Sequence, residues 1–215
     1  MTTTDFEALK RLYVTQCPDA DLDAFEVIEL ILNTSVEDIF KIIDQNQPIL
    51  LPITSANIPQ FSKADEIFSV LRVVIDSRME DLNHEKIGYY LCSKNAKAGA
   101  RVKYGENHYK LAAQLGLTTE IKPLAATDLG MAYYLTESSA KRSNIKKKLA
   151  LRIPLIQQAL ILAEDSTFNI AEYMLRYLSK STMLRRRSNI RELLQYIMDN
   201  AGVEMQHRLN NIVWG

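Results

Sequence analysis

The chain has 215 residues, 47% of them hydrophobic, which is enough for one or two compact domains with a sizeable core. Seven glycines and six prolines disfavour an architecture of many strands and turns, and no apolar run is long enough to cross a membrane. The N-terminus has no apolar signal core, and Cys17 and Cys92 form no metal or redox motif, so we expect a reduced, cytoplasmic protein without a cofactor.

The formal net charge is zero, but the charges are segregated along the chain. Residues 1–60 contain ten acidic and three basic side chains, a balance of −7, whereas residues 138–191 contain three acidic and twelve basic ones, a balance of +9. The segment 61–137 between them has ten of each. This division predicts a basic half that meets a polyanion and an acidic half that does not.

Residues 1–45 are predicted to form a small acidic helical unit, because apolar residues recur at helical spacing within 4–16, 25–32 and 36–44. Ser35 followed by Asp38 has the form of a capping box at the start of the last of these helices. The unit has no chemical motif, and it could dock another protein or associate with a second copy. Residues 46–60 contain three prolines, so they are predicted to be an extended linker.

Residues 61–137 follow the order of a winged-helix unit, which is three helices and then a small β-hairpin. Ser62 is predicted to begin the first helix and Asn83 or His84 the second. The third helix is predicted to begin near Arg101 and to end at Gly116. After it, the segment 119–122 is predicted to be a strand, and 131–135 either a second strand or the next helix.

The remaining chain is predicted to contain a basic connecting helix at 138–153, a second helix-turn-helix unit at 154–200 and a C-terminal tail at 201–215. Pro154 suits the first position of a helix. The segments 87–117 and 170–198 have the same order of features: a short apolar helix, a Ser-Lys turn, a basic helix start and an asparagine. We interpret them as duplicated helix-turn-helix units.

Three consecutive arginines, Arg185 to Arg187, are predicted to lie where the third helix of the second unit begins. Isoleucines and leucines between 190 and 197 form the apolar stripe of that helix. A recognition helix places its N-terminal residues near base edges, where the planar fork of arginine pairs with guanine and lysine or serine holds phosphates. The alternative is a solvated basic face. The predicted DNA-binding residues are Arg185, Arg186, Arg187, Ser188, Asn189, Lys180 and Thr182 in the second unit, Arg101, Lys103, Asn107 and Lys97 in the first, and Lys147 and Lys148 in the connecting helix.

Three phrases carry a family resemblance: Ala112-Ala113-Gln114-Leu115-Gly116-Leu117, Thr127-Asp128-Leu129-Gly130, and the basic phrase from Ser181 to Arg187. With them, residues 58–200 resemble the winged-helix domains of type II restriction endonucleases and related phage-defence proteins. The resemblance implies a mainly α protein with tandem winged-helix units that binds double-stranded DNA sequence-specifically. Because no endonuclease core accompanies these phrases, the chain would be the recognition part or a non-catalytic subunit of a restriction or phage-defence system.

Two other functions remain open at this point. The chain could be a helical adaptor whose basic half binds an acidic partner or RNA. It could also be a metal-dependent nuclease, since Glu120-Ile121-Lys122 has the Glu-x-Lys form of one such class, although the acid that should precede it on an adjacent strand is missing. His84, His108 and His207 are not at metal-ligand spacing, so we expect no metal site and no catalytic activity in this chain alone.

Overall fold

The structure, a computed structural model, describes residues 24–45, 52–77, 82–92 and 96–215; the predicted helix at 4–16 lies outside them. The protein is mainly helical, as predicted. The described residues contain eleven α-helices, one short 3-10 helix and a two-stranded sheet. Among these helices, none combines the length and the apolar character needed to cross a membrane.

The elements are numbered here in chain order. The first six helices are α1 (Ala24–Asn33), α2 (Val36–Gln45), α3 (Glu66–Asp76), α4 (His84–Leu91), α5 (Ala98–Gln114) and α6 (Asp128–Leu135). They are followed by α7 (Ser139–Leu149), a 3-10 helix (Ala150–Arg152), α8 (Pro154–Leu162), β1 (Phe168–Asn169), α9 (Ile170–Leu175), α10 (Lys180–Met198), α11 (Val203–Asn211) and β2 (Ile212–Val213).

The described residues divide into two compact units. The central unit is Pro59–Glu137, against 61–137 predicted from the sequence. The terminal unit combines the described residues up to Ile58 with Ser138–Gly215. The acidic helices of 24–45 therefore do not form a unit of their own, because their apolar faces are buried together with those of the C-terminal helices.

The core of the terminal unit joins elements from both ends of the chain. Helix α1 packs on α7, and α2 contacts α8 and α11. Ile31 and Ile39 from the acidic helices are fully buried, as are Ile145, Leu160 and Ile190 from the C-terminal part. Half of the predicted capping box at the start of α2 is confirmed, since the hydroxyl of Ser35 accepts a hydrogen bond from the backbone N–H of Asp38 (3.1 Å). The carboxylate of Asp38 accepts from that same hydroxyl (2.8 Å) rather than from the backbone N–H that would complete the box.

Residues 201–215 are not the predicted tail. They form α11 and β2, and β2 pairs in parallel with β1 so that Ile212 lies opposite Phe168. Arg208 of α11 is buried; it donates to the carbonyl oxygen of Leu160 (3.2 Å) and to the carboxylate of Glu164 (2.5 Å). These contacts bring the C-terminal end of the chain into the core, where a sequence with few apolar residues did not predict it.

The central unit is built on the close crossing of α4 and α5. Gly88 and Gly105 lie at the crossing, where a Cβ atom on either would meet the backbone of the other helix. Helix α5 begins three residues before the predicted Arg101, because Ala98 and Ala100 are strong helix formers. Its predicted end is confirmed, since Gly116 follows the helix with a φ of 79° that glycine adopts without strain.

The predicted hairpin after α5 is reduced to one antiparallel bridge between Thr118 and Ala126. Within the described residues, the segment 119–122 is not a strand, and 131–135 belongs to α6. The phenol of Tyr109 occupies the interior of the loop, where its oxygen accepts from the backbone N–H of Ala125 (3.1 Å) and hydrogen-bonds the hydroxyl of Thr119 (2.8 Å). The buried side chain of Tyr109 therefore makes hydrogen bonds in this loop that backbone pairing between two longer strands would otherwise make.

His108 is a fully buried residue of α5 that the fold holds in the neutral form. Its Nδ1 lies 2.8 Å from the carbonyl oxygen of Tyr104, to which it donates, and its Nε2 accepts from the backbone N–H of Ser62 (3.3 Å). Burial lowers the pKa of His108 below its ordinary value of about 6.5, although the bond to Tyr104 and the charge of Glu66 raise it. The ring is thus a structural group rather than a surface contact.

We expect the stability of the central unit to fall in mildly acidic solution. The contribution of His108 to the free energy of unfolding should be fully present above about pH 6.5 and decrease below it, because the unfolded imidazole then binds a proton that the folded one resists. That contribution should stop changing once the pH passes below the folded pKa. Urea unfolding over a pH series measures this dependence. His108→Gln should lose only part of it, because burial also lowers the pKa of His84, which is still present in the variant.

Candidate nucleic-acid interface

Helix α10 begins earlier than the sequence predicted. Ser179 precedes it in an extended conformation, and its hydroxyl accepts a hydrogen bond from the backbone N–H of Thr182 (3.3 Å). This cap satisfies a donor that has no partner inside the first turn, so the helix starts at Lys180. Arg185, Arg186 and Arg187 therefore lie beyond the first turn, not at the helix start, and oppose the helix dipole less strongly.

One face of α10 is exposed and the opposite face is in the core. The predicted apolar stripe is confirmed, because Ile190, Leu193, Leu194 and Ile197 are all buried. The outward side chains recur at helical spacing and are basic, hydroxylic or amide groups, with one leucine among them. We call this surface the α10 face, and its residues are Lys180, Ser181, Leu184, Arg185, Ser188, Arg191 and Gln195.

The first two arginines of the triplet have different surroundings. Arg185 is exposed and folds back on the first turn, where it donates to the carbonyl oxygen of Ser181 and to the hydroxyl of Thr182, both at 3.3 Å. Arg186 is half-buried and donates to the carbonyl oxygen of Ser55 at 3.5 Å. Burial and the charge of Arg185 lower the pKa of Arg186. Arg185 is therefore the more available of the two for an outside ligand.

Arg187 and Arg191 are held by the single tryptophan of the chain. Their guanidinium carbons lie 5.5 and 5.0 Å from the ring centroid of Trp214, within the range of a cation–π contact. Trp214 directly follows β2, whose pairing with β1 fixes the end of the chain. A guanidinium that stacks on an indole keeps its N–H edge free for an oxygen ligand. This cluster is called the Trp214 clamp below.

The prediction that Asn189 contacts DNA is wrong, because its side chain is buried. Only 5% of its surface is exposed, because it follows the outward Ser188 by one residue and so lies on the inner side of the helix. Ser188 itself is exposed, as is Lys180 in the first turn. Thr182 is half-buried, and its hydroxyl already accepts from Ser179 and Arg185. The chain position of a polar residue beside three arginines does not decide which way it points.

The prediction that Lys148 contacts DNA is also wrong, because this lysine is buried and stabilises the packing of α1. It is 5% exposed, and its ammonium group donates to the carbonyl oxygens of Ile31 (2.8 Å) and Leu32 (2.9 Å) in the last turn of α1. Helix α1 has no basic residue of its own in that turn. Burial lowers the pKa of Lys148, and the two carbonyls offset the cost of keeping a charge inside.

The rest of the basic run on α7 is likewise engaged inside the terminal unit. The ammonium group of Lys147 lies 3.4 Å from a carboxylate oxygen of Asp199, and that of Lys146 lies 4.9 Å from the ring centroid of Tyr196. Lys141, more exposed, is 4.0 Å from Glu29 of α1. Much of the segregated charge along the chain is therefore complementary within one unit, rather than directed toward a polyanion.

The predicted contacts of the central unit lie along α5 and are less uniform in charge. Lys97 at the N-terminal end and Lys103 are exposed, whereas Asn107 is half-buried. The guanidinium of Arg101 lies over the exposed ring of Tyr89, 5.0 Å from its centroid. Farther along the same helix, Glu106 pairs with Lys110 at 2.6 Å. This helix presents a mixed surface, so we rank it below α10 as an anion-binding element.

Two residues of the candidate interface, Arg191 and Trp214, are not among those predicted from the sequence. Arg191 lies inside the predicted helix, four residues after Arg187, and helical spacing alone would have placed it near the triplet. Trp214 could not have been found in the same way, because its contact with α10 depends on the pairing of β2 with β1. The structure therefore changes the set: Asn189 and Lys148 are removed, and Arg191 and Trp214 are added.

A nuclease site has little structural support. Glu120 and Lys122 are exposed in the loop after α5, and no group of three His, Cys, Asp or Glu side chains within the described ranges is arranged to bind a metal ion. No protein-family model, curated protein or solved structure matches the chain.

Proposed function

We propose that this protein binds double-stranded DNA and that α10 is the helix that enters the major groove. The observation that carries the proposal is the α10 face, an exposed side of a 19-residue helix on which Arg185 and Arg191 point outward. In the part of the chain that the structure describes, neither of them, nor Arg187, forms an ion pair with a carboxylate. Lys141 and Lys147 of α7 have such partners, and these three arginines do not.

The chemistry of the face suits a duplex. An α-helix fits the major groove, and an arginine there can donate two parallel hydrogen bonds to guanine O6 and N7. Arg185 would exchange its bonds to Ser181 and Thr182 for such a pair. The Trp214 clamp would bind backbone phosphates mainly through Arg191, which is exposed and lies over the indole. Arg187 is half-buried and its Nε is shielded from solvent, so it would add charge rather than a full guanidinium edge.

The order of helices supports the same proposal. In the terminal unit the short α9 is joined to α10 by four residues, the turn length of a helix-turn-helix. In the central unit α4 likewise precedes the longer α5, across a longer connection. The loop closed by the Thr118–Ala126 bridge stands where a wing would follow α5. We therefore retain tandem winged-helix units, sequence-specific binding and a role as recognition part of a restriction or phage-defence system as proposals. Lys97, Arg101, Lys103 and Asn107 would be the contacts of the central unit.

The test is the affinity of the double variant Arg185→Ala/Arg191→Ala for random-sequence duplex DNA, measured by fluorescence anisotropy at several salt concentrations. We expect affinity to fall at least about tenfold, because the variant loses the base contact of Arg185 and the phosphate contact of Arg191. The dependence of log affinity on log salt should become less steep by roughly one, at about 0.9 for the one lost phosphate contact.

Two controls isolate the α10 face from total charge. Lys41→Ala/Lys141→Ala removes two exposed cations of the same unit that lie near the carboxylates of Glu204 and Glu29, and it should bind like the parent. Arg185→Lys/Arg191→Lys keeps the charge, so it should retain the salt dependence while it loses the planar fork. Parent-like binding by the double alanine variant would show that α10 is not the reading helix.

A further inference from the structure

Leu184 is an apolar residue in the middle of the α10 face. It is 52% exposed, and the exposed residues around it on the helix surface are polar or basic: Lys180, Ser181, Arg185 and Ser188. Single exposed leucines are common and need no special account. This one differs in its position, since it lies directly beside the exposed Arg185 on the surface proposed to enter the groove.

Helix geometry places four side chains together at the leading part of this surface. With 3.6 residues per turn, successive residues are about 100° apart, so Ser181, Leu184, Arg185 and Ser188 fall within an arc of roughly 100°. All but the leucine are donors or acceptors of hydrogen bonds. A ligand that fits this arc must offer polar atoms for three of the side chains and an apolar group for Leu184.

The major groove of DNA offers that combination. Its base edges carry hydrogen-bonding atoms throughout, and the C5-methyl group of thymine is the apolar group exposed there. Leu184 and Arg185 are consecutive on the helix, about 1.5 Å apart along its axis, whereas base pairs are about 3.4 Å apart. Two such side chains can therefore reach neighbouring base pairs.

We propose that Leu184 contacts the 5-methyl group of a thymine beside the base pair read by Arg185, so that the recognised site contains thymine next to guanine. This inference rests on the proposed function, because it requires α10 in the major groove. A protein-docking surface is the competing use of Leu184, since Leu175 and Tyr177 are also exposed. The cations at Arg176, Lys180 and Arg185 favour the nucleic acid.

The experiment removes only the methyl group. A duplex site is first enriched from a random library with the parent protein, and each thymine is then replaced singly by deoxyuridine. For the parent, one replacement should lower affinity roughly three- to tenfold, as expected for the loss of one buried methyl contact. For Leu184→Ala, the same replacement should leave affinity unchanged, because the partner of that methyl is gone. Leu175→Ala, a matched change of another exposed leucine in the terminal unit, should keep the sensitivity of the parent.

The outcomes separate this inference from the function on which it rests. If the parent binds no duplex, the proposed function fails and the inference fails with it. If the parent binds but no deoxyuridine replacement matters, DNA binding stands and the methyl contact is overturned. The methyl contact of Leu184 is equally overturned if Leu184→Ala binds like the parent and is equally sensitive to the replacement.

Discussion

Replacing Gly105 by alanine is expected to destabilise the central unit by about 3 kcal/mol or more. A Cβ at this position would lie 2.0 Å from the carbonyl oxygen of His84 and 2.7 Å from the backbone nitrogen of Gly88, far inside van der Waals contact. Both obstacles are backbone atoms of α4, so no side-chain rotation can relieve them. The two helices would have to separate, and the contacts between them would be lost.

Gly99→Ala is the matched control for this change. It exchanges the same hydrogen for the same methyl group in the same helix, but no heavy atom lies within 4 Å of the new carbon. Alanine favours a helix over glycine by up to about 1 kcal/mol, so this variant should be as stable as the parent or slightly more stable. Urea unfolding followed by circular dichroism compares the two, and amide hydrogen exchange should localise the loss in Gly105→Ala to α4 and α5. Equal midpoints for the two variants would mean that α4 and α5 do not cross this closely.

The close crossing shows where sequence patterns stop being informative. The start of α4 near His84 and the end of α5 at Gly116 were predicted, because a capping asparagine and a C-terminal glycine act on adjacent residues. The role of Gly105 was not predicted. Its partner Gly88 is 17 residues away, and only the angle at which two helices meet makes the missing side chain necessary.

In the candidate interface, too, some features were predictable from residue spacing and others depend on contacts formed only in the fold. The apolar stripe of α10 was predicted from spacing, and that stripe determines which residues of the helix face outward. Arg185 lies more than one turn farther from the helix start than predicted, because the hydroxyl of Ser179 caps the helix so that it begins at Lys180. The Trp214 clamp depends on a pairing between two strands of two residues each, which carry no periodic signal.

Charge composition was the least reliable guide. The excess of bases in 138–191 and of acids in 1–60 was interpreted as a basic half free to meet a polyanion. In the fold, Lys148 and Lys147 from the basic segment bind groups of the same unit, and Lys141 lies near Glu29 of the acidic one. Net charge along a chain does not distinguish a binding surface from charges that meet each other after folding.

Replacing Lys148 by methionine is expected to lower the free energy of unfolding of the terminal unit by about 2–4 kcal/mol. The methionine fills a similar volume but cannot donate, so the carbonyl oxygens of Ile31 and Leu32 lose their partner. The negative end of the α1 dipole also loses the cation that faces it. Because Trp214 is the single tryptophan and belongs to this unit, its fluorescence during urea unfolding reports the change.

Lys141→Met removes the same charge from the same helix and is the control. Its side chain is 57% exposed and its ammonium group lies 4.0 Å from Glu29, so the loss should be within about 0.5 kcal/mol. Under conditions in which it remains folded, Lys148→Met should also bind duplex DNA like the parent, because its ammonium group does not reach the surface. If Lys148→Met folds with unchanged stability but binds duplex DNA more weakly, Lys148 is a DNA contact after all. A loss of stability with unchanged DNA binding would show that the basic residues of this part of the sequence have two roles. Some, such as Lys148, stabilise the fold, whereas those on the α10 face are available to a ligand.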